Sequence, residues 1–186
     1  MPGLADGEQA ASGCTLCALA AGRTNVVFGE GDPHADLMVV GEGPGREEDL
    51  QGRPFVGRSG QLLDKLLFEE AGLERREVYI ANVVKCRPPG NRDPLPEEIE
   101  ACRPYLDRQL QLVAPRVVVT LGNFATRALL STSEGITKLR GRTYPLEGVA
   151  AVVVPTFHPA AALRGGGEVV AKMRADLVRA RRALRA

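Results

Sequence analysis

The chain has 186 residues, 44% of them hydrophobic and 25% charged, with a formal net charge of +1. Such a length suits one domain with a substantial core, and that composition excludes an intrinsically disordered chain. No run of about 18 apolar residues occurs, which excludes a helical membrane anchor. The N-terminal stretch MPGLADGEQAASGC lacks the basic start and apolar segment of a secretory signal. The expected setting is therefore cytoplasmic and reducing, where the four cysteines are poor candidates for disulfides.

In chain order, the first features are Cys14 and Cys17, a C-x-x-C pair in a polar N-terminal stretch. Asp36–Gly41 (DLMVVG) follows, the first of four short, β-branched, continuously apolar runs. The pattern is that of parallel strands covered on both faces. A helix is predicted over Ser59–Ala71, starting at a capping serine, with Leu62, Leu63, Leu66 and Leu67 at helical spacing and Gly72 as its stop. Val78–Val84 is the second strand. Pro96–Leu112 is the next helix, opened by proline with Glu97 and Glu98 at its positive end. Arg116–Leu121, Gly122–Leu130, Ala150–Pro155 and Gly167–Leu184 complete the series as strand, helix, strand and basic terminal helix. Alternating strands and helices predict an α/β fold, a three-layer α/β/α domain on a mostly parallel four-stranded sheet. One domain spanning 1–186 is expected, with no internal repeat or linker. From Ala161 onward, seven basic residues face two acids (Glu168 and Asp176), which permits a polyanionic partner without requiring one.

Functional groups in such sheets gather at the carboxyl ends of the strands. The first strand ends in Gly41-Glu42-Gly43-Pro44-Gly45. The second contains Asn82 and runs into Lys85-Cys86-Arg87-Pro88-Pro89, and the fourth ends in Pro155-Thr156-Phe157-His158-Pro159. Three glycine- or proline-rich segments at three strand ends imply one site. The cysteines carry a second signal. Cys14, Cys17, Cys86 and Cys102 number four with none left over, and both zinc and a 4Fe-4S cluster accept four thiolates. A zinc ribbon normally has two close C-x-x-C knuckles and this chain has one, which favours iron–sulfur. Such a group would staple the N-terminus to the loop after the second strand. Buried, unligated thiols are the simpler reading for Cys102 on its helix, but fit Cys14 and Cys17 poorly.

Other motifs fail. In Gly41-x-Gly43-x-Gly45 the third glycine comes one residue too early for a dinucleotide loop. No glycine loop is followed by Gly-Lys-Ser/Thr, and Gly57-Arg58-Ser59-Gly60 lacks the spacing of a nucleophile elbow. Two histidines are too few for a His-built catalytic metal centre.

GEGPGREED (Gly41–Asp49), GRPFVGRSG (Gly52–Gly60), Ala81-Asn82 followed by VVKCRPP, the PLP that opens the next helix and TFHPA (Thr156–Ala160) resemble family 4 uracil-DNA glycosylases. The resemblance runs from about Cys14 to the last helix. It implies removal of uracil from single- or double-stranded DNA by hydrolysis of the N-glycosidic bond, leaving an abasic site. It further implies a 4Fe-4S cluster on Cys14, Cys17, Cys86 and Cys102. A monomer with no membrane association is expected. Lys138–Tyr144 (KLRGRTY) has no histidine, which argues against the related variant that traps uracil covalently.

Such an enzyme must draw the base out of the stack into a pocket that reads its edge. By resemblance Asn82 is the reader. Its amide can accept from uracil N3–H and donate to O4, a pairing cytosine cannot return. Phe55 is expected to stack on the flipped base. His158 is expected to donate to O2 as negative charge develops there. Gly41, Glu42, Gly43 and Glu48 complete the expected base pocket. An aspartate that orients the attacking water in better-known families is replaced by Gly43, leaving Glu42, Glu48 and Asn91 as candidates, Glu42 foremost. Glu48 has a second possible role, as a wall against the thymine methyl. On the DNA side, Leu163 is the expected groove wedge, Arg164 a phosphate contact, and Gly57, Ser59 and Gly60 backbone donors to phosphate. An iron–sulfur redox protein and a non-catalytic DNA-binding module are the competing classes. Alkali-sensitive breaks in uracil-containing DNA would arise from the glycosylase alone.

Overall fold

In the computed structural model, which describes residues 3–186, the four apolar runs lie side by side in one sheet. The strands are β1 (Glu30–Gly31), β2 (Leu37–Gly41), β3 (Tyr79–Asn82), β4 (Val117–Leu121), β5 (Tyr144–Pro145) and β6 (Val152–Thr156), in the order β1-β3-β2-β4-β6-β5. The inner four are parallel. The α/β prediction holds, but the sheet has six strands, not four, because β1 adds antiparallel to β3 and β5 antiparallel to β6. Both additions are two residues long and carry no apolar run, so periodicity could not reveal them. Local chemistry allows each. A Cβ at Gly31 would stand 1.9 Å from the Val78 carbonyl oxygen, and Pro145 sits on an edge, where a missing N–H is tolerated.

Before, between and after the strands come α1 (Leu4–Ser12), α2 (Arg46–Gln51), α3 (Arg58–Leu66), α4 (Pro96–Val113), α5 (Gly122–Leu130), α6 (Ile136–Leu139), α7 (Pro159–Gly165) and α8 (Gly167–Arg185). The helix expected from a capping Ser59 begins instead after Gly57, with no side-chain cap, and Ser59 lies in its first turn. Its final turn, Leu67–Ala71, widens into a π-turn before Gly72 stops it with φ 71°. Helices α1, α2, α6 and α7 lie outside the sequence expectation: α2, α6 and α7 have only six, four and seven residues, and α1 buries only Gly7 and Ala11, so it carries no large apolar stripe.

Successive strand residues feed opposite faces of the sheet. Leu37, Val39, Ile80, Val119 and Val154 pack with Leu63 and Leu66 of α3 and Met173 and Leu177 of α8. Met38, Val40, Ala81, Val118 and Val153 pack with Leu106 and Leu110 of α4 and Ala125 and Leu129 of α5. Each buried Leu, Val, Ile or Met contributes roughly 1.5–3 kcal/mol by leaving water. A one-residue slip would exchange the two sets of side chains, so the register of β2, β3, β4 and β6 is firmly specified. That register fixes the heights of the loops at the carboxyl edge. The basic terminal helix also reaches inward: Asp176 is 1% exposed and accepts bonds from Arg140 (2.9 and 3.1 Å) and Thr156 (2.8 Å). Among the described residues no helix is long and apolar enough to cross a membrane.

Candidate active site

At the carboxyl edge of the sheet, a cleft of about 460 Å³ is lined by Glu42, Gly43, Pro44, Gly45, Glu48, Phe55, Ser59, Asn82, Asn91, Asp93, His158 and Arg164, among others. Segments far apart in the chain converge because β2, β3 and β6 all end here in parallel. Gly41 and Asn82 are register partners. Their closeness explains the glycine: a Cβ at position 41 would stand 2.5 Å from both Asn82 Oδ1 and Phe55 Cζ. The bare backbone lets the amide and the ring share one floor.

Asn82 is 1% exposed, and its Oδ1 has no hydrogen-bond partner. A buried acceptor left unpaired costs about 1–3 kcal/mol, so its presence in a polar cleft marks a place where something else pairs with it. The backbone beneath is held firmly. Lys85 Nζ donates to the Asn82 carbonyl (2.8 Å) and to Gln109 Oε1 (2.5 Å). Gln109 Nε2 in turn donates to the Phe28 carbonyl at 2.8 Å.

The Phe55 ring lies 5.6 Å from the His158 ring, inclined by 34°. Phe55 takes a positive φ of 50°, a left-handed conformation costing a non-glycine residue on the order of 1–3 kcal/mol. His158 caps α7, its Nδ1 accepting the Ala160 N–H at 3.0 Å. The imidazole proton therefore belongs on Nε2. Burial, aided by the positive charge of Arg164 and opposed by Glu48, pushes its pKa down to about 4. The ring is neutral at pH 7 and presents one N–H donor.

The acidic candidates separate clearly. Glu48 Oε1 accepts from Gly45 N–H (3.0 Å), and Oε2 from Val56 (3.2 Å) and Gly57 (3.1 Å). Its carboxylate ties the start of α2 to the Phe55 loop and takes up the Gly57 amide expected for phosphate. Asn91 Oδ1 accepts from Arg87 at 2.7 Å. Glu42 faces the cleft, where burial first and Asp93 second raise its pKa to about 7. Asp93 was not anticipated, since nothing in N-R-D-P distinguishes a turn aspartate from a cleft residue.

Of the residues expected to face DNA, Ser59 and Arg164 line the cleft, while Leu163, next to Arg164 on α7, is 46% exposed. Gly60 lies under the Phe55 backbone, where a Cβ would stand 1.8 Å from the Phe55 carbonyl oxygen. It serves close packing more directly than phosphate contact.

A second pocket is lined by all four cysteines with Leu16, Leu19, Val26, Arg23, Ala101 and Tyr105, among others. It gathers the segment after α1, the loop after β3 and the first turns of α4. Arg23 Nη1 donates to the Cys14 carbonyl (2.6 Å) and to Cys86 Sγ (3.5 Å), and the Lys85 N–H to Cys102 Sγ (3.3 Å). Burial pushes the Cys102 thiol up to about 11. Among the described residues no three His, Cys, Asp or Glu side chains are placed to hold a single metal ion. All four cysteines border this one pocket.

Comparison with known proteins agrees with this geometry. Residues 28–185 match the uracil DNA glycosylase superfamily. A type-4 uracil-DNA glycosylase of Sulfurisphaera tokodaii is 51% identical over 156 residues, 81% of this chain and 71% of the relative. One from Thermotoga maritima is 50% identical over 153 residues, 81% and 78% of the two chains. A type-5 uracil-DNA glycosylase of Pyrobaculum aerophilum is more distant, at 34% over 163 residues covering 80% and 72%. The match spans both sheet faces and every loop of the cleft, and the chain belongs to the type-4 uracil-DNA glycosylases of that superfamily.

Proposed function

We propose that this chain removes uracil from single- or double-stranded DNA, and that the unpaired Asn82 Oδ1 is the atom that recognises the base. The observation carrying this reading is that buried acceptor, left open in a cleft shared with Phe55 and His158. A flipped uracil stacked on Phe55 supplies its N3–H to Oδ1 and its O4 to the Asn82 NH₂. Cytosine offers an acceptor at N3 and a donor at C4, so both contacts are reversed.

As the C1′–N1 bond breaks, its electron pair passes to the uracil ring and the sugar becomes positive. His158 Nε2–H donates to the negative charge developing on O2. A neutral imidazole suffices, because the contact needs only one N–H donor. Water then adds to C1′ and Glu42 takes its proton. A carboxyl with pKa about 7 is well poised for that transfer near neutral pH. Glu48 and Asn91 are less suited, because backbone amides and Arg87 already occupy their oxygens.

The four thiols suit a 4Fe-4S cluster, which takes one cysteine thiolate on each of its four irons, and all four cysteines border one pocket. Zinc also takes four thiolates, but the single close C-x-x-C pair favours the cluster. When bound, the cluster would tie the N-terminal segment to the loop after β3 and to α4, with no part in the bond cleavage. Anaerobically purified protein should be brown and hold about four iron atoms per chain; stoichiometric zinc would exclude the cluster.

The activity is tested on a labelled oligonucleotide with one uracil, treated with protein and then alkali. Breakage at uracil, abolished or greatly reduced by Asn82→Ala, supports the reading. Intact DNA with cluster-loaded protein would overturn it.

A further inference from the structure

Phe55 stands in a conformation that its own backbone disfavours, and a residue outside the cleft holds it there. Arg75 follows the turn after α3 and does not line the cleft. All three of its guanidinium nitrogens are engaged. Nη1 donates to the Phe55 carbonyl at 2.8 Å and to Asp64 Oδ1 at 3.1 Å. Nη2 donates to the Pro54 carbonyl and, at 2.7 Å, to Glu30 Oε1, which also accepts from Nε at 3.0 Å. Glu30 is fixed in turn by Arg53 at 2.8 and 2.9 Å.

We propose that Arg75 is a positioning residue for uracil excision, holding Phe55 in the left-handed conformation that presents its ring to the flipped base. The proposal rests on the reading of Phe55 as the stacking residue. Two consecutive carbonyls must point the same way for one guanidinium to bind both, and this fixes the peptide between Pro54 and Phe55. The planar fork spans both carbonyls while Glu30 and Asp64 hold its charge; a lysine ammonium has no such reach. Gly60 behind the Phe55 carbonyl and Gly41 beneath the ring leave room for this one arrangement.

Arg75→Gln should lower the single-turnover excision rate roughly ten- to a hundredfold, as expected when a reacting group is misplaced by about 1 Å. Affinity for abasic-site DNA should hold. In a Phe55→Leu background the same change should cost less than about twofold, because the ring it positions is gone. Arg53→Gln, which touches Glu30 but neither carbonyl, should leave the rate unchanged. Equal losses from Arg75→Gln in the two backgrounds, or no loss in either, would overturn the proposal. Hydrogen exchange supplies a readout independent of activity: amides of residues 53–60 should exchange faster in Arg75→Gln than in wild type or Arg53→Gln. Unaltered exchange there would also overturn it. A wild-type protein that releases no uracil would refute the glycosylase reading, while the exchange data would still decide the clamp. Should Arg75→Gln not fold, Arg75→Lys keeps the ion pairs and loses the double carbonyl contact, and must show the same dependence on Phe55.

Discussion

Two pockets of this chain, the cleft and the cysteine pocket, are built on opposite principles although they adjoin one stretch of backbone, Asn82 to Cys86. The cleft at the strand ends holds polar groups whose needs the protein leaves partly unmet: a buried amide oxygen without a partner and a cleft carboxyl raised to about 7. The cysteine pocket sets its four thiols among leucine, valine and alanine side chains. Its neighbouring polar groups, Arg23 and the Lys85 amide, are already bonded to sulfur and backbone. A site that must bind and release a substrate keeps unpaired groups, at a cost in stability. A site that holds a resident group permanently gains by excluding water. The bridge between them is Lys85, whose amide faces Cys102 and whose ammonium supports Asn82 from below.

The comparison predicts that changes in the cleft alter chemistry with little effect on folding, while changes in the cysteine pocket do the reverse. The largest effect is expected from His158→Ala, which should lower the single-turnover rate roughly 10²–10³-fold, as when one oxyanion donor is lost. Affinity for abasic DNA should barely change, because that product has no base. A normal rate would remove His158 from the leaving-group role. Because its pKa lies near 4, the rate above pH 5 should show no histidine inflection. It should instead rise with pH through about 7 as Glu42 ionises, and Glu42→Gln should abolish that rise.

Next is Asn82→Asp, expected to slow uracil excision on the order of 10²-fold, because a carboxylate cannot donate to O4 and leaves that contact unpaired. Some cytosine excision should appear, measurable with a cytosine-containing strand. Leu163→Ala should cost roughly tenfold on duplex DNA, where a wedge offsets a few kcal/mol of unstacking. On single strands the loss should be much smaller; equal losses on the two substrates would end the wedge assignment. Cys102→Ser belongs to the other pocket. It should reduce iron content and lower the melting temperature, while whatever protein remains folded and loaded keeps a near-normal single-turnover rate. A lost rate at full iron content would break the division between the pockets.

The smallest effect concerns the stability cost of the cleft. The folded pKa of Glu42 is raised above its ordinary 4.5 to about 7, so between those values the folded state holds a proton that the unfolded state has released. Stability contributed by the protonated carboxyl is therefore lost as pH rises from about 4.5 to 7. Glu42→Gln should stabilise the protein at pH 8 by roughly 1 kcal/mol, after discounting for partial exposure. At pH 4 it should change little. Melting curves at the two pH values check the sign.

How much was legible beforehand follows from the range of each interaction. The four inner strands and the helices Pro96–Val113, Gly122–Leu130 and Gly167–Arg185 were readable because apolar continuity and helical period are local properties of the chain. The convergence of the Gly41, Asn82 and His158 segments was readable too, since parallel strands must end on the same side. That Cys14, Cys17, Cys86 and Cys102 share a pocket was inferable from thiol chemistry and count. The two edge strands were not, because two residues carry no period and their pairing is decided by the neighbouring strand. Sequence put Glu42 ahead of Glu48 but held no physical ground for doing so, since both are glutamates in one short motif. Only the fold places the backbone amides of Gly45, Val56 and Gly57 around one and leaves the other facing the cleft. Nothing in the sequence marks Arg75 or Asp176 out from the other charged residues. Their roles come from partners 11 to 45 residues away for Arg75 and 20 to 36 away for Asp176. A side chain's chemistry is written in the sequence, but the groups that satisfy or frustrate it are brought beside it by packing.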